Sequence, residues 1–329
     1  QAQQPEPAAQ YAALAGEHAA AQFASEEALH YFSLALSLLS PEEHLQRARL
    51  FLAREQVYDL GGMRAEQEAD LASLQTLSPH LPLAQQAEIE LRLGAFEWIM
   101  GRNPQAKTAL EKAISYAQAS EAKPIEARAL LIAGKEASDS ISQAVPYLEQ
   151  ARILAQEIGQ RALEGEVVRW LGNINFWQNN YEQSHTHLAE ALAIHREVGD
   201  FRGELSALNN LGQLCEILGQ LQKAVQFYEQ ALDICQKIGD RLAEGVIITN
   251  IGGLRTQLGH FAQAQDDLQR ALVIRSEIGN DEGAAVVYHD LGDIFRHQGR
   301  YQCAINHYQK AMEINTRIQH KWQKGGALT

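Results

Sequence analysis

The chain has 329 residues, of which 46% are hydrophobic and 21% are charged, a composition typical of a folded protein. Its net charge of −13 argues against general nucleic-acid binding, because nucleic-acid binders concentrate positive charge. No apolar run approaches the roughly 18 residues of a membrane-spanning helix. Three cysteines, Cys215, Cys235 and Cys303, are too few for a disulfide framework, so a reducing, cytoplasmic location is expected.

Beyond a predicted N-terminal linker at residues 1–10, the sequence repeats itself. Leu-Gly or Ile-Gly pairs place glycines 40 residues apart, at Gly172, Gly212, Gly252 and Gly292. Two further series keep this interval: Gly159, Gly199, Gly239 and Gly279, and Ala191, Ala231, Ala271 and Ala311. Each Leu-Gly glycine precedes an alanine of the last series by 19 residues. Weaker anchors with the same spacing are Gly16 with Ala35, Ala53 with Ala72, and Gly94 with Ala113.

The spacing predicts eight repeats, near residues 11–39, 40–78, 82–120, 124–159, 160–199, 200–239, 240–279 and 280–318. The fourth repeat is two residues short, with Pro146 in its second half, so its second helix is expected to begin near Ser142. Residues 319–329 align with the start of a truncated ninth repeat, and the natural protein is expected to continue beyond Thr329.

Each repeat has the pattern of two helices, as residues 201–238 illustrate. Apolar residues recur at the three- and four-residue spacing of a helix face on both sides of Gly219. Gly239 fits a left-handed position at the end of the second helix, and Asp240 fits the N-cap of the next helix. Gly212 is expected where the paired helices cross closely. Strand-like alternation is absent from the sequence, which predicts an all-α fold.

The last repeat carries Leu291-Gly292, followed by Gly299, Tyr301, Ala304, Tyr308 and Ala311. This order of residues resembles the tetratricopeptide repeat, although the usual period of that family is about 34 residues. The longer period, and the Gly-Asp-Arg-x-x-Glu junction at residues 239–244, are similar to kinesin light chains and Pins/LGN-type adaptors. The resemblance implies a right-handed superhelix in which the first helix of every repeat lines a concave groove.

A second resemblance concerns the first repeats. The segment from His18 to Ala24, followed by Glu26, Glu27 and Ala28, is similar to the repeats behind the ATPase module of bacterial STAND-type regulators. This resemblance implies that the chain is the sensor or scaffold part of a larger signalling protein.

By the tetratricopeptide resemblance, the groove has an aromatic half, with Trp98, Trp170, Phe176 and Trp177, and an amide-rich half. Asn210 and Asn250 share one repeat position, similar to the asparagine ladders that hold linear peptides in the named adaptors. Amides donate and accept, so they can bond a peptide backbone; the alternative is that they cap helices or bond across repeats. The predicted peptide-binding residues are Arg169, Asn173, Trp177, Asn209, Asn210, Gln213, Asn250, His289, Asp293 and Arg296.

Residues with catalytic or metal-binding potential are few. His289, Asp293 and His297 recur every four residues, as metal ligands can, but a polar stripe in the groove is favoured. The three cysteines are predicted to be buried thiols at helix-packing positions. The sequence contains no phosphate loop, Ser-His-Asp set or dinucleotide turn. No catalytic residue, metal or cofactor is therefore predicted.

The sequence favours a non-enzymatic module that binds a protein or a linear peptide, with neither nucleic acid nor membrane as a partner. The first alternative is a small-molecule sensor of the kind in MalT-like regulators, with the aromatic residues as its pocket. The second is an enzyme, a phosphatase-like regulator, which would need a catalytic helical bundle before the first repeat near Tyr11. A clamp for acidic C-termini is disfavoured, because Glu166, Ser206, Val246 and Val286 stand where the clamp needs basic residues.

Overall fold

The computed structural model of the protein describes residues 5–22 and 24–325. Within these ranges the chain forms sixteen α-helices and no β-strand. Consecutive helices pack in eight pairs joined by short turns, so the predicted all-α fold of eight helix-turn-helix repeats is confirmed. None of the described helices is long and apolar enough to cross a membrane.

The helices divide between two compact lobes. The first lobe, Gln1–Gln160, contains α1 Pro5–Ala21, α2 Ser25–Leu38, α3 His44–Leu60, α4 Arg64–Leu77, α5 Leu83–Ile99, α6 Asn103–Ala119, α7 Lys123–Glu136 and α8 Ile141–Glu157. The second lobe, Arg161–Thr329, contains α9 Arg161–Trp177, α10 Tyr181–Val198, α11 Phe201–Ile217, α12 Leu221–Ile238, α13 Arg241–Gln257, α14 Phe261–Glu277, α15 Asp281–His297 and α16 Tyr301–Gly325.

The junction between α12 and α13 shows how the sequence ends one helix and starts the next. Gly239 has a φ of 72°, the left-handed conformation that glycine adopts at little cost. The Asp240 N–H then donates to the Cys235 carbonyl oxygen at 3.0 Å. The Asp240 carboxylate accepts from the Ala243 N–H at 2.9 Å and caps α13. The roles predicted for Gly239 and Asp240 are confirmed.

Glycine is also required where the paired helices cross. A Cβ added to Gly212 would lie 2.4 Å from Cε1 of Tyr228, and one added to Gly252 would lie 2.8 Å from Cγ of Leu268. Tyr228 and Leu268 are fully buried. Because carbon atoms pack at about 3.5–4.0 Å, any larger residue would push the helices apart. The predicted close crossing at Gly212 is confirmed.

The second repeat departs from the predicted register by two residues. Ala72 is exposed and Ala53 is only half-buried, whereas Glu55 and Leu74 are buried. The Gln67 Nε2 donates to Glu55 Oε1 at 2.7 Å, inside this crossing. A polar pair therefore stands where the other repeats have small residues, and a search for small residues could not find the anchor.

The two ends of the array also differ from the predicted boundaries. The first helix begins at Pro5, so residues 5–10 of the predicted linker are helical, and residues 1–4 lie outside the described part. Prolines are tolerated in a first helical turn, and Ala9 is buried.

The last helix runs unbroken to Gly325, so residues 319–325 extend α16 and do not start a separate helix of a ninth repeat. The reason is local: Gln319 stands where the earlier repeats have a helix-ending glycine such as Gly279, whose φ is 66°. Residues 326–329 lie outside the described part of the chain. In the fourth repeat α8 begins at Ile141, next to the predicted Ser142.

Candidate functional site

All ten predicted binding residues lie in the second lobe, each on the first helix of a pair. Helix α9 carries Arg169, Asn173 and Trp177; α11 carries Asn209, Asn210 and Gln213; α13 carries Asn250; and α15 carries His289, Asp293 and Arg296. The 40-residue repeat therefore places these residues on equivalent helices. Which of their side chains touch depends on how successive first helices pack.

The asparagines bond one another across successive repeats. The Asn210 Nδ2 donates to Asn173 Oδ1 at 2.6 Å, and the Asn250 Nδ2 donates to Asn209 Oδ1 at 3.0 Å. All four side chains are half-buried. The alternative that the amides bond across repeats is therefore correct for these two pairs. Each amide has two N–H groups and a carbonyl oxygen with two lone pairs, so one mutual bond leaves further capacity for a ligand.

The first helices also line a common cleft, which we call the α13 cleft. It has a volume of about 330 Å³ and runs past α13 from α11 to α15. The residues on its wall are Glu216, Thr249, Asn250, Gly253, Thr256, Gln257, Val286, Asp290, Asp293 and His297. Every one of these residues belongs to the first helix of a repeat, so a single ligand in the cleft could contact three successive repeats.

The α13 cleft is acidic. Glu216 accepts a hydrogen bond from the Gln257 Nε2 at 2.6 Å and lies 3.5 Å from the Tyr228 hydroxyl, and both of these donors are uncharged. Burial raises the pKa of Asp290, although His289 lies 3.5 Å away and acts in the opposite direction. The Glu216 carboxylate, with uncharged donors in these two contacts, favours a ligand that carries positive charge at this end of the cleft.

Asp293 is held in its ionised form by its neighbours. Burial alone would raise its pKa, but hydrogen bonds from the Tyr308 hydroxyl at 2.7 Å and the Arg296 Nε at 3.0 Å outweigh that effect. The pKa of Asp293 consequently lies below its ordinary value. Arg296 thus orders Asp293 in addition to facing solvent.

The histidines of α15 separate into two environments. His289, Asp290 and Asp293 bring ligand atoms within 4.8 Å of one another, so these three side chains could hold a divalent metal ion. His297 instead stacks on Phe261, with ring centroids 6.3 Å apart. The set considered from the sequence paired His297 with His289, whereas the folded helix groups His289 with its neighbour Asp290. Arg296 competes for Asp293, which weakens the case for a metal.

The α9 end of the surface is basic and aromatic. The Arg169 guanidinium lies over the Trp170 ring, 5.6 Å from its centroid, and burial lowers the pKa of Arg169. Trp177 is 51% exposed, and its ring meets Trp170 edge-on at 6.1 Å. Phe176 packs against the hydrophobic core of the second lobe, next to Tyr181. Trp98, the fourth aromatic residue of the predicted pocket, belongs to the first lobe.

Glu216 and Thr256 line the cleft but are not among the residues predicted from the sequence. Both follow the Leu-Gly glycine by four residues, the repeat position of Phe176 and Arg296. Applying that position to every repeat would have found them. The thiols follow the prediction in part: Cys215 and Cys235 are buried, and Cys303 is half-buried.

Comparisons with known proteins agree with this architecture. The family model described as tetratricopeptide repeat matches residues 163–237 and 245–317. No curated protein sequence matches the chain.

Solved structures similar to the chain include a Rap protein complexed with competence and sporulation factor, at 13% identity and a TM-score of 0.65, covering 95% of this chain and 98% of that one. A STAND protein with a tetratricopeptide repeat sensor, from Pyrococcus horikoshii, is 14% identical with a TM-score of 0.66, covering 92% of this chain and 45% of that one. A kinesin light chain-like repeat protein from Podospora anserina is 16% identical with a TM-score of 0.50, covering 59% and 96%. At these identities the likeness concerns the fold. With eight helix-turn-helix repeats among the described residues and the family model matching 163–237 and 245–317, the second lobe consists of tetratricopeptide repeats.

Proposed function

We propose that the second lobe binds an extended peptide or protein segment along the first helices α9, α11, α13 and α15. The observation that carries this proposal is the α13 cleft, whose wall comes from three first helices and includes Asn250 of the amide pairs. A ligand lying across these helices would meet amide groups at its backbone and carboxylates at one end. The similar Rap structure, which holds a competence and sporulation factor, supports this choice of ligand.

The charges around the cleft make the proposal more specific. Glu216 and Asp290 lie on its wall, and the chain as a whole carries a net charge of −13. Segments with a lysine or arginine should therefore bind more tightly than acidic segments, and high salt should weaken their binding. The proposed biological role is that of a sensor or scaffold part within a larger signalling protein, which binds its partner without catalysing a reaction.

The test uses an array of ten-residue peptides of varied sequence, followed by calorimetry on the tightest binder. The variant Asn210→Ala/Asn250→Ala removes the donor of both inter-repeat amide bonds, and we expect its affinity to fall about tenfold, the effect of one or two hydrogen bonds. The matched control is Gln302→Ala/Asn306→Ala, two amides that bond each other at 3.1 Å on the exposed face of α16. Equal affinities of the two variants would refute the role of the amides.

Stability must be measured alongside affinity, because the amide bonds also join repeats. Each lost bond is worth about 0.5–1.5 kcal/mol, so the double variant should remain folded by circular dichroism. If no peptide binds and a metabolite panel raises the melting temperature instead, the peptide proposal is refuted in favour of the small-molecule sensor, with Trp170 and Trp177 as the first residues to substitute.

A further inference from the structure

One buried carboxylate in the first lobe stands where the repeats otherwise have core residues. Glu90 lies four residues before Gly94, and only 8% of it is exposed. The same position in the next four repeats holds apolar residues that are at most 1% exposed, namely Leu130, Val168, Leu208 and Ile248, and in the last repeat it holds the half-buried Tyr288. An ionisable group at a core position costs stability unless it is paired. Packing therefore does not explain why this repeat has a glutamate at a position where other repeats have an apolar core residue.

Glu90 faces a cleft, which we call the Glu90 cleft, between α4, α5 and α6. Its volume is about 410 Å³, within the range of small-ligand sites. The wall of the cleft is partly polar and partly apolar. The polar side chains belong to Gln75, Glu97, Gln105 and Thr108, and the apolar ones to Leu93 and Ala109. The cleft lies beside the joint of the second and third repeats, where a 3-10 turn at Ser78–His80 separates α4 from α5.

The protein itself satisfies only one side of the Glu90 carboxylate. Lys112 Nζ lies 3.8 Å from Oε1, beyond hydrogen-bond distance, on a side chain that is half exposed. The other oxygen, Oε2, is buried and has no hydrogen-bond partner among the described residues. Glu97 differs, because the Arg102 guanidinium lies 3.4 Å from it. Burial raises the pKa of Glu90, and Lys112 only partly opposes this effect.

We propose that the Glu90 cleft binds a small organic cation, an ammonium or guanidinium group on an aliphatic chain. The cationic N–H groups would donate to the Glu90 carboxylate, which the protein leaves only partly satisfied, and the aliphatic chain would cover Leu93 and Ala109. Hydrogen bonds to a charged acceptor in a partly desolvated site are the strong ones, so a small ligand gains most of its affinity there. Ile248, which stands at the position of Glu90 in the repeat of α13, is not on the wall of the α13 cleft, so this site is distinct from the proposed peptide surface.

Calorimetry with n-butylguanidine on the full chain tests the proposal, with neutral n-butylurea as the matched ligand. We expect the guanidine to bind and the urea not to bind. Glu90→Gln keeps the shape but removes the charge, and it should weaken binding about tenfold or more. Glu42→Gln, at a side chain that is 88% exposed, is the matched control and should bind as the parent does.

A second arm separates the two sources of such a cation. N-acetyl-arginine methylamide presents the same guanidinium group as part of a peptide. If it binds as tightly as n-butylguanidine, the cleft is assigned to an arginine side chain. If it binds more weakly, the cleft is assigned to a free amine or guanidine. The proposal is overturned if n-butylguanidine binds the parent and Glu90→Gln equally, or if no binding heat is seen while circular dichroism shows both proteins folded. Failure here leaves the peptide proposal unaffected, since that proposal is decided by Asn210→Ala/Asn250→Ala in the second lobe.

Discussion

Two adjacent glycines of α13 allow the packing of a repeat to be tested by the same substitution in two environments. A Cβ on Gly252 would lie 2.8 Å from both Cγ and Cδ2 of the fully buried Leu268, whereas a Cβ on Gly253 meets no atom within 4 Å. Leucine gains about 0.8 kcal/mol of helix propensity over glycine at either site. The difference between Gly252→Leu and Gly253→Leu therefore isolates overpacking, which costs about 1–3 kcal/mol.

The assay is urea unfolding followed by circular dichroism at a helical wavelength. Gly253→Leu should be slightly more stable than the parent, because it gains propensity without a clash. Gly252→Leu should fall below Gly253→Leu by about 1–3 kcal/mol, since Leu268 is held inside the crossing and has no room to retreat. Equal stability of the two variants would show that the helices of a pair are free to separate, and the account of the small residues would be wrong.

Two further predictions concern ionisable groups. Because burial raises the pKa of Glu90, folding favours its protonated form, and stability is lost as pH rises above about 4.3. Glu90→Leu should thus stabilise the ligand-free protein at pH 7 but much less at pH 4, and a gain independent of pH in urea unfolding would contradict this. Burial also raises the pKa of Cys235 to about 12 and that of Cys215 above its ordinary value. A thiol reagent at pH 8 should label Cys303 first, and rapid labelling of Cys235 would refute its burial.

The first lobe shows where repeat patterns lose their predictive strength. Regularly spaced small residues identify a repeat when glycine or alanine allows its two helices to cross closely. At Glu55 and Gln67 the same crossing is satisfied by a hydrogen bond between polar side chains, and the pattern of small residues disappears. Polar pairs of this kind are invisible to a search for small residues, because their compatibility depends on a contact 12 residues away.

The sequence by itself determined the number of helix pairs in this protein and the residues that end and cap helices in the second lobe, because local rules control them. Gly239 ends a helix through its left-handed backbone and Asp240 caps the next one, and each effect depends only on neighbouring residues. The tertiary structure decided how the amides and carboxylates are used. That Asn210 bonds Asn173 depends on how successive repeats stack, and so does the burial of one oxygen of Glu90 without a partner. Contacts between side chains about 40 residues apart are set by packing, which no local pattern encodes.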